Sequence, residues 1–247
     1  MVRLAGFTIS ALVFFCPYLR AQSGAEISAS RLMEQIPDML DTVPAPPPVT
    51  EAEVVELEEG DPETYIFVHD AQAHPPKPVD LGGDGILSLV RLDTGEQLSA
   101  RYRGRNGVYD QAGIEKLRGI MHCSLTGKET DISVKLLELL DAVEDRFGKR
   151  GLTLLSGYRT PRLNKQVSGA ARRSLHMLGW AADIRIPGYS PAAVTAFAKK
   201  IRVGGVGYYQ NVGFTHLDVG RPRYWIDKSP RGGRNAPGTL KTPRKNK

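Results

Sequence analysis

The sequence predicts an α+β domain with a small, mainly antiparallel sheet flanked by helices. Three observations carry that prediction: short β-prone runs, amphipathic helical runs that alternate with them irregularly, and long connections between the two. A regular alternation of strands and helices would instead have indicated a doubly wound parallel fold. The predicted domain spans residues 84–226.

The first elements of this domain read as a β-hairpin. Gly85–Arg91 is a β-prone run, the Asp-Thr-Gly sequence at 93–95 is typical of a turn, and Leu98–Tyr102 returns. Two apolar runs joined by such a turn favour adjacent antiparallel strands.

Two helices are predicted next, over Gln111–Met121 and Ser133–Phe147. The second has the clearer pattern, since its apolar residues recur at spacings of four, three and four, which places them on one helical face. These residues are Leu136, Leu140, Val143 and Phe147. Asp131, just ahead of this run, is predicted to cap the helix.

The second half of the domain is predicted to contain shorter elements in close succession. In order, they are a strand over Leu152–Leu155, a short helix over Pro161–Gln166, a strand over Ala181–Ile186, a helix over Pro191–Ile201, and strands over Val206–Tyr209 and Phe214–Val219.

The chain begins like an exported protein. Arg3 supplies a positive start, and Leu4–Leu19 is almost wholly apolar but short for a membrane span. We expect residues 1–21 to be a signal peptide cleaved near Ala21, with an uncleaved anchor as the alternative. In both cases the domain faces outside the cytoplasm, and we expect it to be periplasmic.

Residues 22–83 are predicted to be a largely disordered linker. Proline clusters lie at 44–48 and 75–78, and residues 51–63 form a strongly acidic run. The chain contains only Cys16 and Cys123, so cleavage of the signal peptide would leave one thiol and no internal disulfide. A hydrophobic core therefore has to stabilise the fold.

Residues 227–247 are predicted to be a basic disordered tail. The formal net charge of the chain is +6, and the excess lies in this tail. Against Asp227 it carries Lys228, Arg231, Arg234, Lys241, Arg244, Lys245 and Lys247. Because the charge is confined to a segment without apolar periodicity, we expect no nucleic-acid partner, and membrane contact only through the signal segment. The alternative is that the tail contacts an anionic envelope polymer or membrane surface.

Candidate metal ligands lie in the second half of the domain. His176 and Asp183 are seven residues apart across Gly179, and His216 follows later. Two imidazoles and one carboxylate are a ligand set typical of catalytic zinc, with a fourth position left for water. The alternative is that each of these residues is a hydrogen-bonded core or rim residue.

Strand alternation indicates how these residues meet. Asp183 lies on the strand face opposite Ala182 and Ile184, and His216 shares a face with Asp218. Two neighbouring strands would therefore present these polar residues to one cleft. There Asp218 is placed to take a proton from water or, alternatively, to orient His216 or exchange roles with it.

A family resemblance strengthens the metal hypothesis. The motif Ser174-x-His176-x-x-Gly179-x-Ala181-x-Asp183 resembles the first zinc motif of the D-Ala-D-Ala metallopeptidase group, whose fold is shared with lysostaphin-type enzymes and the hedgehog domain. Further motifs follow the family order across 86–225: Leu87-Ser88-Leu89, Asp93-Thr94-Gly95-Glu96, Ser156-Gly157-Tyr158-Arg159, Gly204-Gly205-Val206-Gly207-Tyr208-Tyr209 and His216-x-Asp218-x-Gly220. Together they resemble the bacterial murein endopeptidase K family.

The resemblance implies a hedgehog/D-Ala-D-Ala-peptidase-like fold and one zinc ion per chain, held by His176, Asp183 and His216. It also implies that Arg159 assists the scissile carbonyl or a substrate carboxylate. The alternative for Arg159 is a structural ion pair with Asp183 or Glu144.

One departure from the wider group concerns the general base. Many members carry an acidic residue three positions before the last zinc histidine, and here that position is Gly213. The acid is found instead at Asp218, as in the narrower family.

The expected function is a zinc metallopeptidase, acting as a monomer, that hydrolyses peptide cross-links or stem peptides of peptidoglycan as an endopeptidase or carboxypeptidase. The second hypothesis is a zinc-containing wall-binding or regulatory domain that does not hydrolyse, motivated by Gly213. A third is a nucleic-acid binder that uses the basic tail.

Overall fold

A computed structural model describes residues 62–229 of the 247-residue chain. The predicted signal peptide, the first part of the predicted linker and nearly all of the predicted tail lie outside the described residues. Within 62–229, no helix is both long and apolar enough to cross a bilayer.

Helices and strands follow one another along the described chain without regular alternation. The helices are α1 (Pro62–Gln72), α2 (Gln111–Ile120), α3 (Val134–Arg146), α4 (Pro161–Gln166) and α5 (Pro191–Ile201), with a 3₁₀ helix at Leu175–Leu178. The strands are β1 (Ile86–Arg91), β2 (Gln97–Arg101), β3 (Leu152–Ser156), β4 (Ala181–Arg185), β5 (Gly205–Tyr209), β6 (Phe214–Asp218) and β7 (Arg223–Asp227).

The strands form one mixed sheet in the order β2-β1-β3-β4-β6-β5-β7. The prediction of an α+β domain with flanking helices is confirmed, but the prediction of a mainly antiparallel sheet is wrong. β1 runs parallel to β3 and β5 parallel to β7, whereas the other neighbours are antiparallel. In the first parallel pair, β2 returns the chain to the end of the sheet where β1 begins. α2 and α3 then connect β2 to β3, which runs in the same direction as β1.

The second parallel pair depends on closely approaching glycines. The chain leaves β6, passes over the start of β5 and begins β7 beside Gly205. A Cβ on Gly204 would lie 1.8 Å from the carbonyl oxygen of Asp218, so only glycine fits beneath this crossing. The Gly204-Gly205 pair therefore allows β7 to reach the sheet edge.

The hydrophobic core lies between the sheet and α3. The predicted apolar stripe of this helix is confirmed, since Leu136, Leu140 and Val143 are fully buried and Phe147 nearly so. The predicted cap is wrong: Ser133 precedes the helix without a side-chain cap, and the Asp131 carboxylate points to solvent, where it pairs with Arg118.

Three described elements were not predicted. α1 lies inside the range predicted as linker, the 3₁₀ helix lies in a predicted loop, and β7 lies at the boundary of the predicted tail. The 3₁₀ helix and β7 both border the cleft described next.

Candidate metal centre

His176 is carried by the 3₁₀ helix rather than by an extended loop. The turn ends at Gly179, whose φ of +67° is left-handed, and a Cβ there would lie 2.3 Å from the carbonyl oxygen of Asp131. The backbone amide of Arg159 donates to the carbonyl of His176 at 3.2 Å. Glycine and this cross-connection together fix the position of the His176 ring.

Asp183 and His216 lie directly opposite each other on neighbouring strands. β4 pairs with β6 antiparallel, with Asp183 in register with His216 and Ala181 with Asp218. Side chains in opposite positions share a face of the sheet and lie close together. The strand-alternation prediction, which placed these side chains on one face, agrees with this register.

Three potential ligand atoms converge at this point. His176 Nε2 lies 3.3 Å from His216 Nδ1 and 3.4 Å from Asp183 Oδ1, and His216 Nδ1 lies 2.8 Å from Asp183 Oδ1. Ligands of a tetrahedral zinc ion at about 2.0–2.2 Å are about 3.3–3.6 Å apart. Two of the separations match this edge length, and the third is a hydrogen-bond distance that a small side-chain shift would open. The donor set fits zinc.

The remaining nitrogen of each imidazole is held by an acceptor. His176 Nδ1 lies 2.7 Å from the carbonyl oxygen of Gly157, so this nitrogen carries the proton and Nε2 offers its lone pair to the cluster. His216 Nε2 lies 3.1 Å from Asp218 Oδ2, which leaves Nδ1 for the cluster. Metal-binding histidines are typically fixed in this way by a carbonyl or carboxylate.

Burial and neighbouring charge set the protonation of the cluster. Burial and the nearby Arg159 lower the pKa of His176 to about 4, so its ring is neutral near pH 7. Burial acts to raise the pKa of Asp183, but His176 and Arg159 outweigh it and hold that pKa well below its usual range. Burial likewise opposes charge on His216, but its hydrogen bonds to the carboxylates of Asp183 and Asp218 raise its pKa above the ordinary value.

Arg159 contacts the cluster directly. Its Nη2 donates to Asp183 Oδ2 at 2.5 Å and its Nε donates to Ser156 Oγ at 2.7 Å. The structural pairing that the sequence left open is therefore with Asp183. Arg159 also lines the cleft, so the pairing does not remove it from the site.

Asp218 lies behind His216. It is fully buried, its Oδ1 accepts from the amides of Gly205 and Gly220 at 2.9 Å, and its Oδ2 accepts from Arg223 Nη2 at 2.7 Å. Burial acts to raise the pKa of Asp218, but the hydrogen bond and charge of His216 outweigh it and lower that pKa far below the usual range. Asp218 is not among the described residues that line the cleft.

The cleft beside the cluster encloses about 310 Å³. Tyr209 and Trp225 line it, whereas Tyr158 does not. The ring centroids of Trp225 and His216 are 5.2 Å apart, and a Cβ on Gly207 would lie 2.4 Å from the Trp225 indole. Gly207 therefore lets the indole pack closely against β5.

A second acidic group lies away from the cleft. Asp84, Asp141 and Asp145 approach one another closely enough to share a cation. The ammonium of Lys149 already pairs with Asp84 and lies 3.4 Å from Asp145 Oδ1. This group therefore already has a resident positive charge.

The fold and the site define an α+β domain that presents a buried His/Asp/His centre at the wall of an open cleft. The chain belongs to the family described as peptidoglycan L,D-endopeptidase MepK, whose model matches residues 83–225. This confirms the resemblance to the murein endopeptidase K family.

Curated relatives agree with that assignment. The peptidoglycan L,D-endopeptidase MepK of Escherichia coli K12 is 33% identical over 145 residues, which cover 57% of this chain and 79% of that protein. The probable peptidoglycan L,D-endopeptidase MepK of Haemophilus influenzae is 31% identical over 161 residues, which cover 63% and 83%.

Proposed function

We propose that this chain is a zinc-dependent murein endopeptidase. The observation that carries the proposal is the convergence of His176 Nε2, Asp183 Oδ1 and His216 Nδ1 at a cleft, with the other nitrogen of each ring held by an acceptor. Family membership supports the choice of peptidoglycan as substrate. One zinc ion per chain would be held by these three side chains.

Zinc bound there would supply a Lewis acid that polarises the scissile carbonyl and acidifies water. Arg159 lines the cleft with its guanidinium fixed by Ser156 and Asp183, so it is prepared to stabilise the negative charge that develops on the carbonyl oxygen. Because the geometry of Arg159 is fixed before the reaction, little reorganisation is needed when that charge forms.

For Asp218 we propose the orienting role among those that the sequence left open. Its contact with His216 Nε2 fixes the ring so that Nδ1 faces the cluster, and its other hydrogen bonds hold the carboxylate in place. A fully buried carboxylate with four such partners is poorly placed to exchange protons with water in the cleft. The base role, which the sequence favoured first, is the competing proposal, and the experiment in the Discussion decides between them.

The curated relatives are described as L,D-endopeptidases, so peptide cross-links are the proposed bonds. We further propose that the chain works as a monomer in the periplasm, delivered by the signal segment at 1–21.

The test pairs metal analysis with digestion of purified cross-linked muropeptides. The wild type is expected to retain about one zinc per chain and to release products whose masses correspond to hydrolysis of the cross-link. His176→Ala should lose both zinc and cleavage, whereas the control His74→Ala, an exposed residue outside the cleft, should retain both. Equal cleavage by His176→Ala and wild type would disprove the metal-dependent mechanism.

A second candidate is a zinc-containing wall-binding domain without hydrolysis. It is favoured by one observation: among the described residues lining the cleft, Asp183 is the only carboxylate, and it is already bound to Arg159. A wall-binding domain would bind the muropeptide and release no shortened product, so the same digestion followed by mass spectrometry separates the two functions.

A further inference from the structure

Among residues 62–229, three arginines line the cleft, and their partners differ. Arg159 pairs with Asp183, and Arg223 donates to Asp218 at 2.7 Å. Arg173 is exposed and makes no ion pair or hydrogen bond with the described residues. Within the described chain, Arg173 is therefore the cleft-lining cation whose charge is not matched by a carboxylate.

The backbone around Arg173 is held in place on both sides. Asn164 of α4 donates from Nδ2 to the carbonyl of Ala171 at 2.9 Å, and the carbonyl of the buried Ser174 accepts from the amide of Met177 at 3.1 Å. Arg173 lies between these fixed points, three residues before His176. Its side chain is therefore presented to the cleft from a positioned loop.

The neighbouring arginine has a different environment. Arg172 Nη2 lies 3.3 Å from Glu63 Oε2, and it does not line the cleft. Arg173 borders both the cleft and the recess formed by Glu63 and Thr64. It therefore lies towards the outer end of the cleft, where a group of a long substrate remote from the scissile bond would pass.

We propose that Arg173 is a specificity-determining residue that binds a carboxylate of the peptide substrate. The inference rests on the proposed function and names one contact of that site. Stem peptides carry free carboxylates, and a guanidinium presents a planar fork that matches a carboxylate through two hydrogen bonds. Arg159 and Arg223 already bind internal carboxylates, so the unpaired Arg173 provides the attraction for an anionic group entering the cleft.

The experiment compares wild type, Arg173→Gln, Arg173→Lys and the matched control Arg172→Gln. Each zinc-loaded protein is given one cross-linked muropeptide in two forms, with free carboxylates and with the carboxylates converted to methylamides. Arg173→Gln should raise KM for the free-acid form about tenfold and leave kcat within about twofold. Arg173→Lys should restore part of the loss because it keeps the charge but not the fork.

The methylamide form should bind wild type and Arg173→Gln equally, and Arg172→Gln should behave as wild type with both. An unchanged KM for Arg173→Gln, or an equal loss with both substrate forms, would overturn the inference. If wild type binds the muropeptide without cleaving it, the proposed hydrolysis fails. In that case the dissociation constants of the same proteins for the two substrate forms, measured by calorimetry, decide the role of Arg173. If wild type does not bind the muropeptide, the inference is overturned.

Discussion

Replacing Asp218 with asparagine separates the two roles proposed for this residue. Asparagine keeps the size and one acceptor oxygen, so the amides of Gly205 and Gly220 retain a partner. Its NH₂ group then lies where Oδ2 faced His216 Nε2 and Arg223. His216 loses the carboxylate that fixes its tautomer, and with it part of the basicity of Nδ1.

The magnitude follows from these contacts. Loss of a carboxylate that orients a metal-binding histidine typically weakens metal binding about 10–100-fold, which corresponds to about 1.4–2.8 kcal/mol. The Arg223 ion pair adds little to stability, because about half of the arginine side chain is exposed to solvent. We therefore expect Asp218→Asn to fold but to bind zinc about 10–100-fold more weakly than wild type.

The assay is competition for zinc against a chromophoric chelator at pH 7.5, followed by muropeptide hydrolysis at saturating zinc. Arg223→Gln is the matched control, because it removes the ion pair but leaves the contact between Asp218 and His216, and its zinc affinity should stay close to that of wild type. Suppose instead that Asp218→Asn binds zinc normally and loses about 10²–10⁴-fold in kcat. Asp218 then acts as the general base, and the orienting role is refuted.

Three further predictions concern protonation and packing. Burial raises the pKa of Asp141 from its ordinary 3.8 to about 6, so the folded protein loses stability as pH rises between these values. In denaturant unfolding, the unfolding free energy of wild type should fall by about 3 kcal/mol over this range relative to that of Asp141→Asn. Parallel pH profiles of the two proteins would contradict this. His216, whose pKa is raised despite burial, has to lose a proton to bind zinc. The affinity for zinc should therefore fall about tenfold per pH unit below that pKa. A constant zinc affinity from pH 8 to 5.5 would count against the role of His216 as a ligand. Gly207→Ala would place a Cβ 2.4 Å from the Trp225 indole and should lower the unfolding free energy by about 1–3 kcal/mol. The loss should be smaller in a Trp225→Ala background. Equal losses in both backgrounds would show that the indole is not the obstacle.

The elements that the sequence predicted are those with a regular apolar pattern. α3 was predicted from its apolar stripe, and the shared face of Asp183 and His216 followed from strand alternation. Elements without such a pattern were missed. α1 has no concentrated apolar face, and β7 lies at the sheet edge, where none of its side chains is fully buried.

The mixed sheet could not be predicted from local pattern for a related reason. Period-two alternation indicates which face a side chain occupies, but it is identical for parallel and antiparallel neighbours. The direction of β7 depends on the crossing over Gly204, where a Cβ would collide with the Asp218 carbonyl. Gly204 belongs to one of the family motifs, but the contact that requires glycine there forms only between segments separated along the chain.

The sequence leaves more than one role open for Asp218 for the same physical reason. Residues two apart on a strand share a face, and that condition is met whether Asp218 opens to the cleft or supports the far side of the His216 ring. An imidazole has two nitrogens on opposite edges, so one neighbour of the ring can be a metal and the other a carboxylate. The choice between them is made by what surrounds the carboxylate. Here the amides of Gly205 and Gly220 and the guanidinium of Arg223 enclose Asp218, which favours a residue that orients His216 over one that meets water.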